Sequence, residues 1–508
     1  MSKQDRVVSP EMPADRRLVP GTGSDLSLWP AVELAALVRR RAVSPVELVE
    51  VYLERIEREN PAINAYVLVC VDTAREEAKR AEAAVMSGQA LGLLHGLPIA
   101  IKDSDDVAGL PTTCGSRLLV GRVAKADNPV VARLKNAGAI VLGKTNLPEF
   151  GHNAVTDNKL FGATSSPVAP QMNSLGSSGG SAAAVAGGLA ALAQASDGGG
   201  SIRVPASACG VFGIKASWGR VPTCIRPNAF QHSPMVGLGP VARGVADAAL
   251  MLEVIDGPDA SDPFSFRLPR LDYAAACQRD VSDLRIAFSP TVGGHEVSPE
   301  VSEVIRAAVG MLDGLVAGIE EIEPQFGRPV SEIADAWKTS AAVQNAATDR
   351  AFAAQGVPLY DQHRDELTAY FAESIEWGRT IDAVAYFQLG LLRTEVFDAI
   401  EAMFANFDLI VAPTLAIAGV PNKTDGTPTE CPATVNGKPV DPLLGCVLTH
   451  PVNFTGHPAA SVPAGVTSDG LPIGLQVIGR RFHDDDVLAL SAALERAQPW
   501  HTMYPSSC

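Results

Sequence analysis

Between Ser174 and Arg220 the chain reads SLGSSGGSAAAVAGGLAALAQASDGGGSIRVPASACGVFGIKASWGR, two clusters of glycine and serine bracketing an alanine-rich stretch. Glycine at this density either loosens a chain into a linker or lets the backbone approach another group more closely than a Cβ allows. A linker does not suit residues that are apolar between the clusters, nor a second cluster that runs straight into Arg203, Val204 and Pro205. The alanine-rich stretch is therefore expected to be a packed helix flanked by the two clusters. Gly198, Gly199 and Gly200, immediately before Ser201, can aim several backbone N–H groups at one point. That arrangement stabilises a developing oxyanion.

Around this segment, helical and strand-like patterns alternate. Ala31 to Arg41 has apolar residues at helical spacing, and Ser44-Pro45 supplies an N-cap and a first-turn proline for a helix over Val46 to Glu59, ending before Pro61. Ala74 to Met86, Asn128 to Ala137, Val301 to Asp313, Asp382 to Met403 and Asp486 to Arg496 are further predicted helices. Leu97 to Ile101 is a short apolar run that ends abruptly in Lys102-Asp103, as a buried strand does, and places Lys102 at the strand end. Ala139 to Leu142, Leu409 to Val411, Ala460 to Val462 and Ile473 to Ile478 are predicted strands, with breaks at Ser289 to Gly294 and Gln355-Gly356. The alternation predicts an α/β fold with a largely parallel, helix-covered sheet.

With 46% hydrophobic and 19% charged residues in 508, the chain can bury a large core. Lys and Arg number 41 against 57 Asp and Glu, a net charge of −16 with no basic block, which argues against nucleic acid or an anionic membrane as partner. The 8 cysteines, among them Cys446 and Cys508, show no C-x-x-C pair and no zinc-finger spacing, so free thiols in a reducing, cytoplasmic setting are expected. Residues 1–25 form a polar segment without an apolar core, so no signal peptide is expected, and Ala182 to Ala195 is too short to span a bilayer. No histidine or carboxylate pattern suggests a metal, and no cofactor is expected.

The motif Gly176-Ser177-Ser178-Gly179-Gly180-Ser181, followed by Asp197-Gly198-Gly199-Gly200-Ser201-Ile202-Arg203-Val204-Pro205, resembles the hallmark of the amidase signature family. The resemblance extends to His95 through Asp103, to Gly143 through Phe150 and to Leu471 through Gln476, and covers most of the chain, with 220–405 matching only loosely. It implies a large mixed, mostly parallel sheet with helices on both faces. One catalytic domain would span 26–505, with a variable substrate-pocket region within about 220–405.

Residue by residue, the resemblance places the nucleophile on Ser201, a bridging serine after a cis peptide bond on Ser177, and the base on Lys102. Gly198, Gly199, Gly200 and Ser201 would form the oxyanion hole, and Ser178, Ser196, Asp197 and Arg203 would support it. Ser196 and Asp197 would brace the glycine loop by hydrogen bonds, and Arg203 would pair with a carboxylate. The implied activity is hydrolysis of a small-molecule carbon–nitrogen bond, in an amide, aryl amide or carbamate, with side activity on esters. A homodimer is compatible with it.

The chemistry is coherent. A serine hydroxyl attacks well only when a neighbour takes its proton, and a lysine does that only when neutral. Burial at a strand end would lower Lys102 from its usual value of about 10.4. Ser177 can then hand protons between Ser201 and Lys102. Two departures stand out: Ser174-Leu175 replaces the family's Pro-Gly ahead of the first cluster, and Gly198 replaces a larger side chain. The second should leave the oxyanion loop less constrained and widen the acyl pocket.

Rival motifs are weaker. Gly138 to Thr145 fits a phosphate-binding loop, but its interior is strand-like and Pro148 disfavours the helix that would hold phosphates. Gly176 to Gly180 fits a nucleophile elbow centred on Ser178, but Pro167, Pro170 and Asn173 disfavour the strand it requires. Cys446 and His450 are equally suited to lining a pocket and to plain packing. Two other functions are the glutamine-hydrolysing subunit of a tRNA-dependent amidotransferase, which typically has Gln where this chain has Val204, and a non-catalytic relative.

Overall fold

A computed structural model of the chain describes residues 25–226, 228–230 and 235–504. The polar N-terminal segment up to residue 24 and Cys508 lie outside the described residues. Eleven strands form one sheet: β1 (Tyr66–Val69), β2 (Pro98–Lys102), β3 (Ile140–Thr145), β4 (Leu192–Asp197), β5 (Phe212–Lys215), β6 (Gly237–Ala242), β7 (Arg285–Phe288), β8 (Gly318–Glu321), β9 (Leu409–Pro413), β10 (Ala459–Val466) and β11 (Pro472–Gly479). Their order is β1-β3-β2-β4-β6-β5-β10-β11-β9-β7-β8. Helices flank the sheet, and one apolar core runs from Ala31 on the first helix to Trp500.

The sheet is mixed, as expected, but not mostly parallel. Six neighbouring pairs are antiparallel and four are parallel. Connection length decides this. Parallel neighbours β2 and β3 are joined through the helix Pro129–Asn136, and β7 and β8 through Pro299–Gly310, crossovers that parallel pairing requires. β10 and β11 are separated by five residues, which permits only a hairpin.

Local signals fix some of the helix starts. Ser44 Oγ accepts the Val46 N–H and Asn128 Oδ1 accepts the Val130 N–H, each followed by proline in the first turn. The helix begun at Pro45 does not stop before Pro61 but continues to Ile63 and turns at Asn64, whose φ is 57°. In the last turn a proline removes little of the helical hydrogen bonding.

The alanine-rich stretch is only half helix. Helix α1 (Gly179–Ala186) ends at Gly187, and the second half becomes β4, between β2 and β6. Alanine has no strong preference against a strand that is buried on all sides, and every residue of β4 but Ser196 is buried. Helix α2 (Arg203–Cys209) follows the second cluster, and α3 (Val330–Ala353) and α4 (Ala383–Phe404) come from the loosely matching region. Among the described residues no helix is long and apolar enough to cross a membrane.

Candidate active site

β2 delivers Lys102 at its C-terminal end, buried beneath the first glycine–serine cluster. Its Nζ donates to Ser177 Oγ at 2.7 Å, to Ser178 Oγ at 2.9 Å and to Ser196 Oγ at 2.9 Å. Burial pushes the Lys102 ammonium down to about 7, against the opposing pull of Asp105 and Asp197. A near-neutral amine is thus held against a serine hydroxyl.

The Gly176–Ser177 peptide bond is cis. Ser178 stands at the start of α1 and Gly180 packs into the turn after β3, where a Cβ would lie 2.3 Å from the Asn146 amide nitrogen. Close approach, not flexibility, explains this glycine. Leu175, the residue replacing glycine, takes φ 55°, a conformation that costs an ordinary side chain roughly 1–2 kcal/mol. Hydrogen bonds from its N–H to Asn173 Oδ1 and from Thr156 Oγ1 to its carbonyl hold it there, and its side chain is buried.

The second cluster is wrapped around one carboxylate. Asp197 accepts the Gly200 N–H at 2.8 Å, the Ile202 N–H at 3.2 Å and the Arg203 N–H at 3.4 Å. Arg203 Nε and Nη2 then grip both carboxylate oxygens at 2.9 Å. Burial alone would raise the Asp197 carboxyl, but the Arg203 guanidinium and the Asn453 amide outweigh it and hold Asp197 well below the usual carboxylate range. The carboxylate expected for Arg203 is Asp197, and Thr449 O, Gln476 and Asn453 take the guanidinium's remaining N–H groups.

The two clusters meet where the Ser178 N–H donates to the Ser201 carbonyl at 3.1 Å. Ser201, half-buried, shares one cavity with Lys102, Ser177, Ser196 and Gly198 to Gly200. The structure brings Lys102 and Ser177 into direct contact. No hydrogen bond joins Ser177 Oγ to Ser201 Oγ among the described residues.

Three expectations about this loop change. Gly200 is not a free oxyanion donor, because its N–H is bonded to Asp197; the N–H groups of Gly198, Gly199 and Ser201 have no partner among the described residues. The loop is not loosely constrained: Trp337 Nε1 donates to the Gly198 carbonyl at 2.9 Å and Thr449 Oγ1 to the Gly199 carbonyl at 2.6 Å. Ser196 bonds Lys102 instead of bracing the glycine loop.

The rival motifs resolve differently. Lys144 in the phosphate-loop pattern is buried, ion-paired with Asp103 at 3.1 Å and bonded to Thr112 Oγ1. A short strand, Ala169–Asn173, does precede Ser178, contrary to expectation, in a two-stranded ribbon outside the main sheet where proline is tolerated. Ser178 Oγ is buried and donates to the Ser196 carbonyl. Cys446 and His450 are buried in the neighbouring core and do not line the cavity.

The whole cavity measures about 170 Å³, and its remaining walls are mainly Phe150, Met235, Val236, Trp337, Leu443 and Leu444. Phe150 stacks on Phe371 with ring centroids 4.5 Å apart. Besides Lys102 the titratable lining residue is His152, which burial and the Lys102 charge push down to about 4. Among the described residues, His483, Asp485 and Asp486 are grouped closely enough for a metal ion, but both aspartates already hold Arg279 and none of the three lines the cavity.

The family model described as Amidase matches residues 47–488. An acylamidase of Rhodococcus erythropolis is 36% identical over 487 residues, 96% of this chain and 98% of that protein. A glutamyl-tRNA(Gln) amidotransferase subunit from Thermosynechococcus vestitus is 34% identical, covering 93% of this chain and 98% of the relative. The crystal structure of a bacterial aryl acylamidase of the amidase signature enzymes superposes with a TM-score of 0.90 at 38% identity, covering 94% of this chain and 98% of the other.

Proposed function

The chain belongs to the amidase family, and from that premise we propose that it hydrolyses small neutral amides through an acyl-enzyme on Ser201. The observation that carries the proposal is the buried Lys102 Nζ, 2.7 Å from Ser177 Oγ in the wall of the cavity that holds Ser201.

Ser201 Oγ bonds to the carbonyl carbon while its proton passes to Ser177 Oγ, and the Ser177 proton passes to neutral Lys102. The carbonyl π pair moves onto oxygen, stabilised by loop amides. When the tetrahedral adduct collapses, the C–N bond breaks and the Lys102 proton returns through Ser177 to the departing nitrogen. Water then repeats the sequence, releasing the acid and restoring Ser201. Ser178 and Ser196, also bonded to Lys102, hold its amine toward Ser177.

The apolar and aromatic walls favour an aryl amide, with a carbamate or ester as lesser substrate. Free glutamine would bring an ammonium and a carboxylate into a cavity whose described lining offers charge only at Lys102 and, below its lowered value, His152. Buried without partners, those charges are costly, which favours hydrolysis of neutral amides over the amidotransferase role of the second relative. The seven described cysteines are free thiols, in keeping with a cytoplasmic location.

A panel of anilides, carbamates, esters and free glutamine, run with the parent enzyme and Ser201→Ala, tests it. Anilide turnover abolished in Ser201→Ala is expected; turnover of glutamine alone would overturn it.

A further inference from the structure

The carbonyl groups of the glycine loop point to a role for a residue far away in sequence. Trp337, on α3, lines the active-site cavity, and its Nε1–H donates to the Gly198 carbonyl at 2.9 Å. Its ring also lies against Gly199: a Cβ there would be 2.8 Å from Trp337 Cζ2. On the next peptide Thr449 Oγ1 holds the Gly199 carbonyl at 2.6 Å.

A trans peptide is planar, with its C=O and N–H directed oppositely. Fixing the Gly198 carbonyl on Trp337 therefore fixes the direction of the Gly199 N–H. By the same rule, Thr449 sets the Gly200 N–H, which is bonded to Asp197 Oδ1. The Gly199 N–H is left without a partner among the described residues, and Gly199 lines the cavity together with Ser201.

We propose that Trp337 is a positioning residue that aims the Gly199 amide at the oxyanion of the tetrahedral adduct. This rests on the acyl-enzyme proposed for Ser201. The tryptophan supplies from α3 the constraint that Gly198, lacking a side chain, does not supply to its own loop. The indole ring also forms part of the cavity wall, so its two roles must be separated by experiment.

Trp337→Phe removes the donor and keeps an aromatic wall. With an anilide substrate, kcat is expected to fall about tenfold while KM stays within about twofold, because the lost interaction acts where charge develops. An arylboronic acid, whose serine adduct places an oxygen where the oxyanion forms, should bind about tenfold more weakly to the variant. Trp337→His, which can offer a ring N–H, should recover part of both losses, and it carries the comparison against Trp337→Leu if Trp337→Phe does not fold.

Unchanged kcat and boronate affinity, or a rise confined to KM, would overturn the positioning role. Fluorophosphonate labelling of the parent enzyme separates the two levels. Labelled Ser201 with an unaffected Trp337→Phe defeats the Trp337 proposal alone, whereas absence of label on Ser201 defeats the acyl-enzyme beneath it.

Discussion

Arg203 offers the sharpest test of how the glycine loop before Ser201 is held. Its guanidinium is fully buried, and its five N–H groups meet Asp197 Oδ1 and Oδ2, Asn453 Oδ1, Gln476 Oε1 and the Thr449 carbonyl. Arg203→Met keeps much of the volume and strands the Asp197 carboxylate with Asn453 and backbone amides. Breaking a buried pair in this way costs about 3–5 kcal/mol. The sign of the pH dependence follows. In the parent, Asp197 is held below its usual value of about 3.9, so its stabilisation is present above that value and lost as pH falls through the lower folded one. In Arg203→Met the carboxyl is instead raised by burial, so protonation relieves the penalty and the deficit against the parent shrinks from about pH 7 toward about pH 5. Urea unfolding followed by circular dichroism measures both, and Asp197→Asn with Arg203→Met should recover part of the loss. A deficit under about 1 kcal/mol at neutral pH, or one that does not shrink on acidification, would show that Arg203 does not hold the Asp197 carboxylate in this way.

Anilide kcat should rise about tenfold per pH unit below the Lys102 value of about 7 and level off above it, since only the neutral amine accepts a proton. Lys215 is also buried and pushed down to about 7, so Lys215→Met should leave that limb in place; a limb that disappears in Lys215→Met would assign it elsewhere. Gly200→Ala should reduce anilide kcat by at least about a hundredfold, because Gly200 has φ 136° and an added Cβ would sit 1.9 Å from Thr449 Oγ1. Near-parental turnover in that variant would show that the loop can shift without loss.

Much of the site is legible in the sequence because its central residues lie inside short motifs. Lys102 ends a recognisable apolar run, and Ser177 and Ser201 sit in glycine clusters whose tightness is visible as composition. The clamp on the loop is not visible there. Trp337, Thr449 and Asn453 come from segments more than a hundred residues away, and nothing in local periodicity reveals that their donors converge on Gly198, Gly199 and Asp197. Gln476 stands in a matching motif, yet its contact with Arg203 exists only because β11 passes behind α2 in the folded sheet. Strand direction escapes the sequence for a related reason: β5 and β6 are short and glycine-containing, without the apolar run that marks β2. The alanine-rich stretch misleads because alanine fits both a helix and a buried strand, and tertiary packing chooses between them at Gly187-Gly188.

The proposed reaction turns on an acyl group carried by Ser201. Intact-mass measurement after rapid quenching with a slowly turned-over aryl ester, followed by peptide mapping, tests it directly. A single acyl adduct is expected on the Ser201 peptide, absent from Ser201→Ala and slow to form in Lys102→Ala. An adduct on Ser178, or full turnover by Ser201→Ala, would contradict it.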